Sequence, residues 1–429
     1  MHWSAMHPST SDQIETTKMK ASGCESTNPL LAYPVARLGL LVTLLAVILS
    51  LAVSGCSKQP QFRLNEVHKL TLEKELRDGD EIPAERVKEL GNVMTALFGT
   101  PSDPRLPYGA DFIDMQHLVS SAGPVSSDRE GKGLGLYREH CAHCHGITGD
   151  GAGPTASFMN PYPRDFRLGK FKFKSTKTFH PPLPEDLKHT LQRGIAGTSM
   201  PSFALLPEEE IDALVAYVQY LSIRGQVERA LLDDMAILED DESLMSSKDS
   251  TEPDDYEFQL ELIVERISPI LNKWKRAQSK LVLVPAVPAG FQNYRNSFAN
   301  AGKQLFYGKA NCVQCHGETG VGDGQTENYD DWTNEWLKRG NVDLNKPEDL
   351  KEYTDIGALK PRKIRPRNLR HRVFRGGSSP DDLFRRIKVG IEGTPMAANA
   401  NLSDEDIWSL IAYVLDLSYE KVDGVVRKE

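Results

Sequence analysis

A five-residue motif that occurs twice constrains this chain more than any other feature of its sequence. Residues 139–153 read EHCAHCHGITGDGAG, and residues 311–324 read NCVQCHGETGVGDG. Both stretches contain C-x-x-C-H, which contributes Cys141, Cys144 and His145 in the first copy and Cys312, Cys315 and His316 in the second. Two thiols and an imidazole this close together have three common roles: a redox dithiol, half of a zinc site, or covalent attachment of a c-type haem.

The context of the two motifs favours haem over the other two roles. A redox dithiol of the thioredoxin type lies between a strand and a helix, and neither motif has that context. A structural zinc ion needs four ligands that close a tetrahedron, whereas each motif provides three and the copies lie far apart in the chain. Haem uses every position, because the cysteines bond to the porphyrin and the histidine reaches the iron. We therefore expect two covalently bound haem c groups, with His145 and His316 as iron ligands.

The repeat extends well beyond the motifs and indicates a duplicated domain. PEDLKHTLQRGIAGTSMP at 184–201 matches PDDLFRRIKVGIEGTPMA at 380–397, and LPEEEIDALVAYVQYLS at 206–222 matches LSDEDIWSLIAYVLDLS at 402–418. The second pair carries apolar residues at helical intervals, which predicts an amphipathic helix at the end of each copy. We find no stretch with the alternation of a strand. The sequence therefore predicts an all-α fold.

The repeat also selects one methionine in each copy as a candidate iron ligand. Methionine is a common second axial ligand where haem iron transfers electrons. Met200 in GTSM aligns with Met396 in GTPM, whereas Met159 has no counterpart in the second copy. A lone methionine commonly fills a gap in a core, so the assignment depends on the alignment. We expect Met200 and Met396 to be the distal ligands.

An apolar segment near the N-terminus predicts export. Residues 38–54 form an uncharged run that is short for a membrane span and typical of the apolar core of a signal peptide. The run ends in LAVSGC, where small residues precede Cys56 as they do in bacterial lipoprotein signals. We expect lipidation at Cys56; an uncleaved anchor and a buried core segment are the alternatives. Lipidation or an anchor would place the remaining chain at the periplasmic face of the bacterial cytoplasmic membrane.

Changes in composition divide the chain into domains and connectors. Residues 227–262 hold thirteen acidic residues against two basic ones, a balance typical of a solvated connector. Apolar periodicity near 84–98 predicts an amphipathic helix, and a second helix with mixed charge is expected near 257–277. The predicted organisation is a lipoprotein signal peptide at 1–56, a helical and loop stalk at 57–127, a first haem domain at 128–226, an acidic, partly helical linker at 227–290, and a second haem domain at 291–422 with an insertion at 317–365.

In its order of elements, each copy resembles class I cytochrome c. The order is an aromatic-bearing helix, C-x-x-C-H, a glycine-rich loop, a methionine loop and a C-terminal helix, and the resemblance covers about half of the chain. It implies two class I cytochrome c domains in tandem. It also implies that an aromatic residue on the first helix packs against one on the last. Tyr137 and Tyr217 match these positions in the first copy, and Phe306 and Tyr413 match them in the second.

The same resemblance implies protein partners for the haem and its histidine ligand. Family members use a proline carbonyl to accept the Nδ1 proton of the axial histidine. Pro154 fits that role in the first copy, whereas Gln325 stands at the corresponding position of the second. Arg164 and Arg367, which share a Pro-Arg pair within two basic runs, are candidates to bind haem propionates. Other basic residues of these runs are available to steer an acidic redox partner.

These features predict a membrane-anchored di-haem cytochrome that passes single electrons between components of a respiratory chain. Its expected partners are a quinol-oxidising complex, a terminal oxidase, or both. Nucleic acid is a poor partner for an exported chain of net charge −9. The alternative is an enzyme, either a di-haem peroxidase or the haem subunit of a periplasmic dehydrogenase. A peroxidase needs an iron with an open coordination position, and two closely matched methionine loops argue against one.

Overall fold

The structure of the protein is a computed structural model, which describes residues 60–76, 81–125, 134–239, 242–245, 253–293, 297–329 and 331–420. The predicted signal peptide and its Cys56 lie outside these ranges. The described residues form fourteen α-helices and one hairpin of two short strands. The expected all-α fold is therefore confirmed.

The helices differ widely in length, and short loops and 3₁₀ turns connect several of them. They are α1 (Glu66–Glu75), α2 (Ala84–Phe98), α3 (Met115–Ser121), α4 (Leu136–His140), α5 (Ala142–His145), α6 (Pro184–Arg193), α7 (Glu208–Met235), α8 (Pro253–Lys275), α9 (Ser297–Tyr307), α10 (Val313–His316), α11 (Asp331–Arg339), α12 (Pro347–Asp355), α13 (Pro380–Val389) and α14 (Asp404–Asp416). The antiparallel strands are β1 (Gly99–Thr100) and β2 (Asp103–Pro104). Within the described ranges, no helix is both long and apolar enough to cross a lipid bilayer.

Local sequence sets where the helices around each methionine segment begin and end. α6 and α13 each start with a proline, which suits the first helical position. Both helices end at a glycine, Gly194 or Gly390, with a positive φ that other residues rarely adopt. The C-terminal helix α14 begins with a capping box, in which Ser403 and Asp406 exchange hydrogen bonds of 3.0 Å. Both methionine loops therefore start at a glycine, and the second also stops at a capped helix.

A single core joins the first haem domain to the chain segments before and after it. Helix α7 runs through this core and is buried along most of its length. α2 contributes Leu90 and Phe98, and α8 contributes Trp274. The described part of 57–127, expected to form a stalk, therefore packs into the same core. The reason is that α2 and the extension of α7 beyond residue 222 carry apolar faces, which are stable only when they are removed from water.

Several charged residues at the start of the acidic linker are paired inside the protein. Glu228 on α7 is buried, and its carboxylate accepts a hydrogen bond from the backbone N–H of Asn65 at 2.7 Å and from Arg224 at 2.6 Å. Asp233, one turn further on, bonds to the buried His68 of α1 at 2.9 Å. A charge count predicts solvent exposure, but tertiary partners satisfy these carboxylates. The first part of the linker therefore binds α1 to α7.

The second haem domain has its own core around two helices that cross closely. α9 and α14 meet where Gly302 lies against the backbone of α14, and a Cβ at this position would overlap the carbonyl oxygen of Ser409. Buried Trp408, Phe384 and Phe306 fill the space beside the crossing. Only glycine permits this approach of the two helices, so this crossing depends on one residue.

The insertion of the second domain forms a third, smaller cluster and packs against the N-terminal helix. Trp336 of α11 stacks on the buried Tyr353 of α12, with ring centroids 4.6 Å apart. Val67 and Leu70 of α1 cover this pair. Ion pairs surround the contact: Lys74 with Glu352, Arg339 with Glu75, and Arg229 with Glu335. The insertion therefore links the second domain to the segment that precedes the first.

Candidate haem sites

Each C-x-x-C-H motif forms one short turn of helix after a helix that carries an aromatic residue. In the first copy, the carbonyl of Cys141 accepts hydrogen bonds from the backbone N–H groups of Cys144 at 3.1 Å and His145 at 2.9 Å. The corresponding bonds of the second copy run from Cys315 and His316 to Cys312, at 3.2 and 2.9 Å. The same turn therefore brings two thiols and an imidazole together in both domains.

The four cysteines of the two motifs form no disulfide bond with one another, and two of them lie in surroundings that disfavour a thiolate. Removal from water raises the pKa of Cys141 to about 12 and the pKa of Cys312 to about 11. A redox dithiol acts through a thiolate whose pKa is lowered. This environment therefore disfavours the redox-dithiol role and leaves the thiols available for attachment to a haem.

Backbone carbonyls set the protonation of both histidines. Nδ1 of His145 lies 3.0 Å from the carbonyl oxygen of Arg164, and Nδ1 of His316 lies 3.2 Å from that of Arg367. A carbonyl can only accept, so Nδ1 carries the proton and Nε2 keeps its lone pair. Burial lowers the pKa of His145 to about 4 and also lowers that of His316. Both rings are therefore neutral at pH 7, with Nε2 able to bind iron.

The acceptor of the histidine proton differs from the one expected from the sequence. Pro154, the expected acceptor, is exposed, and Arg164 takes its place. Equivalent backbone hydrogen bonds hold the acceptor segment in place in each domain: Phe166 N–H donates to Gly149 O at 2.7 Å, and Leu369 N–H donates to Gly320 O at 2.8 Å. Each bond places the residues that precede Phe166 or Leu369 beside the imidazole. The Pro-Arg pair that both copies share could have indicated this acceptor in the sequence. The number of residues between the histidine and the acceptor could not, because it differs between the copies.

The two methionine loops have the same internal hydrogen bonds. In the first, Ile195 N–H donates to Met200 O at 3.1 Å, and Met200 N–H donates to the Thr198 hydroxyl at 3.1 Å. In the second, Ile391 N–H donates to Met396 O at 2.9 Å, and Met396 N–H donates to the Thr394 hydroxyl at 3.2 Å. Both methionines are half-buried. The repeat alignment of these residues therefore corresponds to a repeated backbone, and their role as iron ligands stays a prediction.

Met159 has a different setting from the other two methionines. It follows a 3₁₀ turn at Ala156–Phe158, and its carbonyl accepts a hydrogen bond from Arg362 of the second domain. Arg362 also lies over the ring of Tyr162, with its guanidinium carbon 3.9 Å from the ring centroid. The surroundings of Met159 are thus part of the contact between the two domains.

The aromatic contacts expected from the family resemblance are present in both domains. The rings of Tyr137 and Tyr217 have centroids 4.8 Å apart, and those of Phe306 and Tyr413 have centroids 5.4 Å apart. The Tyr137 hydroxyl also donates to the carbonyl of Gly146, which directly follows the first motif, at 2.9 Å. The first and last helices of each domain are therefore joined beside the C-x-x-C-H turn.

Two neighbouring arginines of the second domain suit the carboxylates of a haem. Burial lowers the pKa of Arg367, and burial together with the charge of Arg367 lowers that of Arg375. Within the described part of the chain, no carboxylate counteracts these shifts, and Nε of Arg375 is buried without a hydrogen-bond partner. The second site thus has uncompensated positive charge where haem propionates would supply the partner, and Arg375 adds to the predicted Arg367.

The comparison with protein families agrees with the repeat. A sequence model of the family described as Cytochrome c matches residues 131–222 and 299–418. No curated protein sequence matches the chain significantly. Among solved structures, the chain is similar to one from the Kuenenia stuttgartiensis reducing HAO-like protein complex, with 26% identity over 68% of this chain and 98% of that chain and a TM-score of 0.44. Both C-x-x-C-H motifs and both loop methionines lie inside the two segments that the family model matches.

Proposed function

Because the chain belongs to the cytochrome c family, with two domains that each bind one covalent haem c, we propose that it is a di-haem electron carrier with histidine and methionine ligands at both irons. The observation that carries this proposal is the similarity of the two sites. In each, Nδ1 of the histidine is tied to an arginine carbonyl, and a methionine stands on a loop closed by the same hydrogen bonds. Two sites with a complete set of ligands suit electron transfer rather than substrate binding.

The chain contributes fixed ligands and charge compensation to this activity. Haem iron supplies the one-electron chemistry, because it alternates between the ferric and ferrous states. The bond from Nδ1 holds the proton of His145 and His316 away from the ligating nitrogen. The closed loops keep the methionine side chains in place, so little of the protein has to move when the charge changes. Arg367 and Arg375 offer positive charge to propionates of the second haem.

A spectroscopic and kinetic test separates a carrier from an enzyme. Methionine-ligated ferric haem has a weak near-infrared band from sulfur-to-iron charge transfer. We expect the purified oxidised protein to show this band at the intensity of two haems, to accept and release one electron per haem, and to leave hydrogen peroxide unconsumed. Peroxide turnover together with a missing share of the band would instead support a di-haem peroxidase.

We further propose that the chain acts at the periplasmic face of the membrane, anchored through lipid on Cys56. The apolar run at 38–54 and the small residues before Cys56 support this location. The proposed partners are a quinol-oxidising complex and a terminal oxidase. Mass spectrometry of the mature N-terminus tests the anchor, and a diacylglyceryl-modified Cys56 is expected. A protein that retained 38–54, or an unmodified Cys56, would contradict it.

A further inference from the structure

A buried ion pair joins the two haem domains at the second methionine loop. Nζ of Lys174 in the first domain pairs with the carboxylate of Glu392 in the second, and their side chains are only 4% and 6% exposed. Burial lowers the pKa of Lys174, whereas the charge of Glu392 raises it. Lys174 therefore finds its carboxylate partner in the other domain.

Further hydrogen bonds extend the contact along both segments. The Glu392 carboxylate also accepts from the backbone N–H of Phe179 at 3.3 Å, and the Thr178 hydroxyl donates to the carbonyl of Val389 at 2.6 Å. Phe179 has a φ of 65°, a left-handed conformation that costs energy for a residue other than glycine. Surrounding contacts must hold such a residue in place. The stretch 174–179 is therefore fitted to the end of α13 and to the loop that follows it.

Glu392 occupies a position in the methionine loop that does not need a carboxylate for the loop to form. The loop closes through the bond from Ile391 N–H to Met396 O, and the first domain closes the same loop with Ala196 at the equivalent position. A buried carboxylate without a partner is unfavourable. Glu392 is therefore explained by its contact with the first domain and not by the loop itself.

The first methionine loop has a corresponding contact with the second domain. Nη2 of Arg375 donates to the carbonyl of Gly197 at 3.3 Å. A Cβ at Gly197 would lie 2.6 Å from Nη2 of Arg367, so this glycine packs directly against that guanidinium. Each methionine loop thus touches the opposite domain.

We propose that Lys174, a residue of the first domain, is a positioning residue for the haem of the second, because its ion pair with Glu392 holds the loop that carries Met396. This inference rests on the proposed function, in which Met396 is an iron ligand. Without the pair, the loop would move more freely and the iron–sulfur bond would weaken. Methionine ligation raises the reduction potential of haem iron, so the potential of the second haem would fall. The Met200 loop, which has its own contact, would keep its geometry.

The test uses the full-length protein with both haems and the substitutions Lys174→Met and Glu392→Gln. Positioning and simple electrostatics predict different results. If the pair positions the loop, both variants lose up to half of the near-infrared methionine band and both lower the potential of the second haem. If only charge matters, the band stays complete and the two potentials move in opposite directions, because one variant removes a positive charge and the other a negative one. That second result would overturn the proposal.

Nuclear magnetic resonance of the reduced protein shows which haem responds. Each coordinated methionine has methyl resonances shifted by its haem, and the set that disappears in Met396→Ala belongs to the second site. We expect Lys174→Met to alter this set and to leave the other unchanged. Changes confined to the first haem, or equal changes at both, would contradict the inference.

Matched variants separate the loss of this pair from general damage. Lys388→Gln breaks the exposed ion pair of Lys388 with Asp404 in the second domain, and it should change neither band nor potential. Lys174→Arg should retain most of the band, and the double variant Lys174→Met/Glu392→Gln should recover part of what each single change loses. If the unaltered protein lacks the methionine band at the second haem, the proposed function fails as well. A complete band that none of the variants alters would contradict only the role of Lys174.

Discussion

At the scale of single residues, one backbone carbonyl fixes the protonation of the histidine in each C-x-x-C-H motif. The carbonyl of Arg164 or Arg367 holds the Nδ1 proton, and burial keeps the ring neutral. A backbone carbonyl can accept this hydrogen bond whatever side chain its residue carries. Substitutions of either arginine therefore leave the histidine in place and report on the guanidinium alone.

Methionine ligation can be assigned one residue at a time. Met200→Ala and Met396→Ala should each remove about half of the near-infrared band, because each removes one of the two sulfur ligands expected in this chain. Met159→Ala is the matched control, since Met159 lies on a different loop, and it should leave the band complete. A band halved by Met159→Ala and left intact by Met200→Ala would show that the repeat alignment selected the wrong residue.

The partly buried charge of Arg367 should influence the second haem. Reduction adds negative charge at the iron, so a nearby guanidinium favours the reduced state, and Arg367→Gln should lower the potential of that haem. Arg372→Gln is the control: Arg372 is exposed and contacts the Tyr419 hydroxyl at 2.6 Å, so solvent screens its charge. Potentiometric titration measures both. Equal shifts in the two variants would mean that Arg367 has no special relation to the haem.

At the scale of elements, the close crossing of α9 and α14 holds the second site together. The crossing brings Phe306 against Tyr413, next to the turn that carries the second motif. In the first domain, α7 has the equivalent role but continues to Met235, and its additional turns bind α1, α2 and α8. The duplicated helix therefore supports a haem site in one domain and also organises a larger core in the other.

The crossing should tolerate no side chain at Gly302. A Cβ there would overlap the Ser409 carbonyl, so Gly302→Ala should lower the free energy of unfolding by about 1–3 kcal/mol, the usual cost of overpacking. Gly91→Ala is the matched control in α2, because a Cβ there meets nothing within 4 Å, and it should stabilise by about 0.5–1 kcal/mol. Denaturant unfolding of the haem-loaded protein gives both values. A Gly302→Ala variant as stable as the parent would contradict this account of the crossing.

At the scale of the whole molecule, the two haem domains form one unit with the segments around them. The contacts that join them include the insertion packed on α1, the Lys174–Glu392 pair, and Arg362 against Ser157 and Tyr162. Part of the basic run at 360–375 is therefore occupied by contacts within the chain. Only the exposed members of that run are available to an external partner.

The exposed part of the run gives a prediction about partner binding. Lys360 and Arg365 are exposed, so Lys360→Glu/Arg365→Glu should slow association with an acidic redox partner, and rising ionic strength should reduce the difference from the parent protein. The haem spectrum should stay unchanged. Arg362→Glu is a contrasting variant, because it removes contacts between the domains and should also lower stability. Stopped-flow rates at several salt concentrations measure the effect; rates independent of salt and of both substitutions would contradict it.

Much of each candidate site could be predicted from the sequence, because its chemistry is local. The C-x-x-C-H turn, the glycines that end α6 and α13, and the threonine that caps each methionine loop all act within a few residues of one another. The same applies to the apolar periodicity of α2 and α14. Such features depend on bond geometry and short-range hydrogen bonds, which are the same wherever the segment lies in the fold.

Contacts between residues far apart in the chain could not be predicted in this way. They include the Arg164 carbonyl at His145, the pairing of Glu228 with Asn65 N–H, and the Lys174–Glu392 ion pair. Charge counts marked the acidic linker as solvated, and the family resemblance selected Pro154. Neither shows which partner the folded chain brings within reach. A buried charge or a histidine proton is stabilised by the group that faces it after folding, and only the packing of the helices determines which group that is.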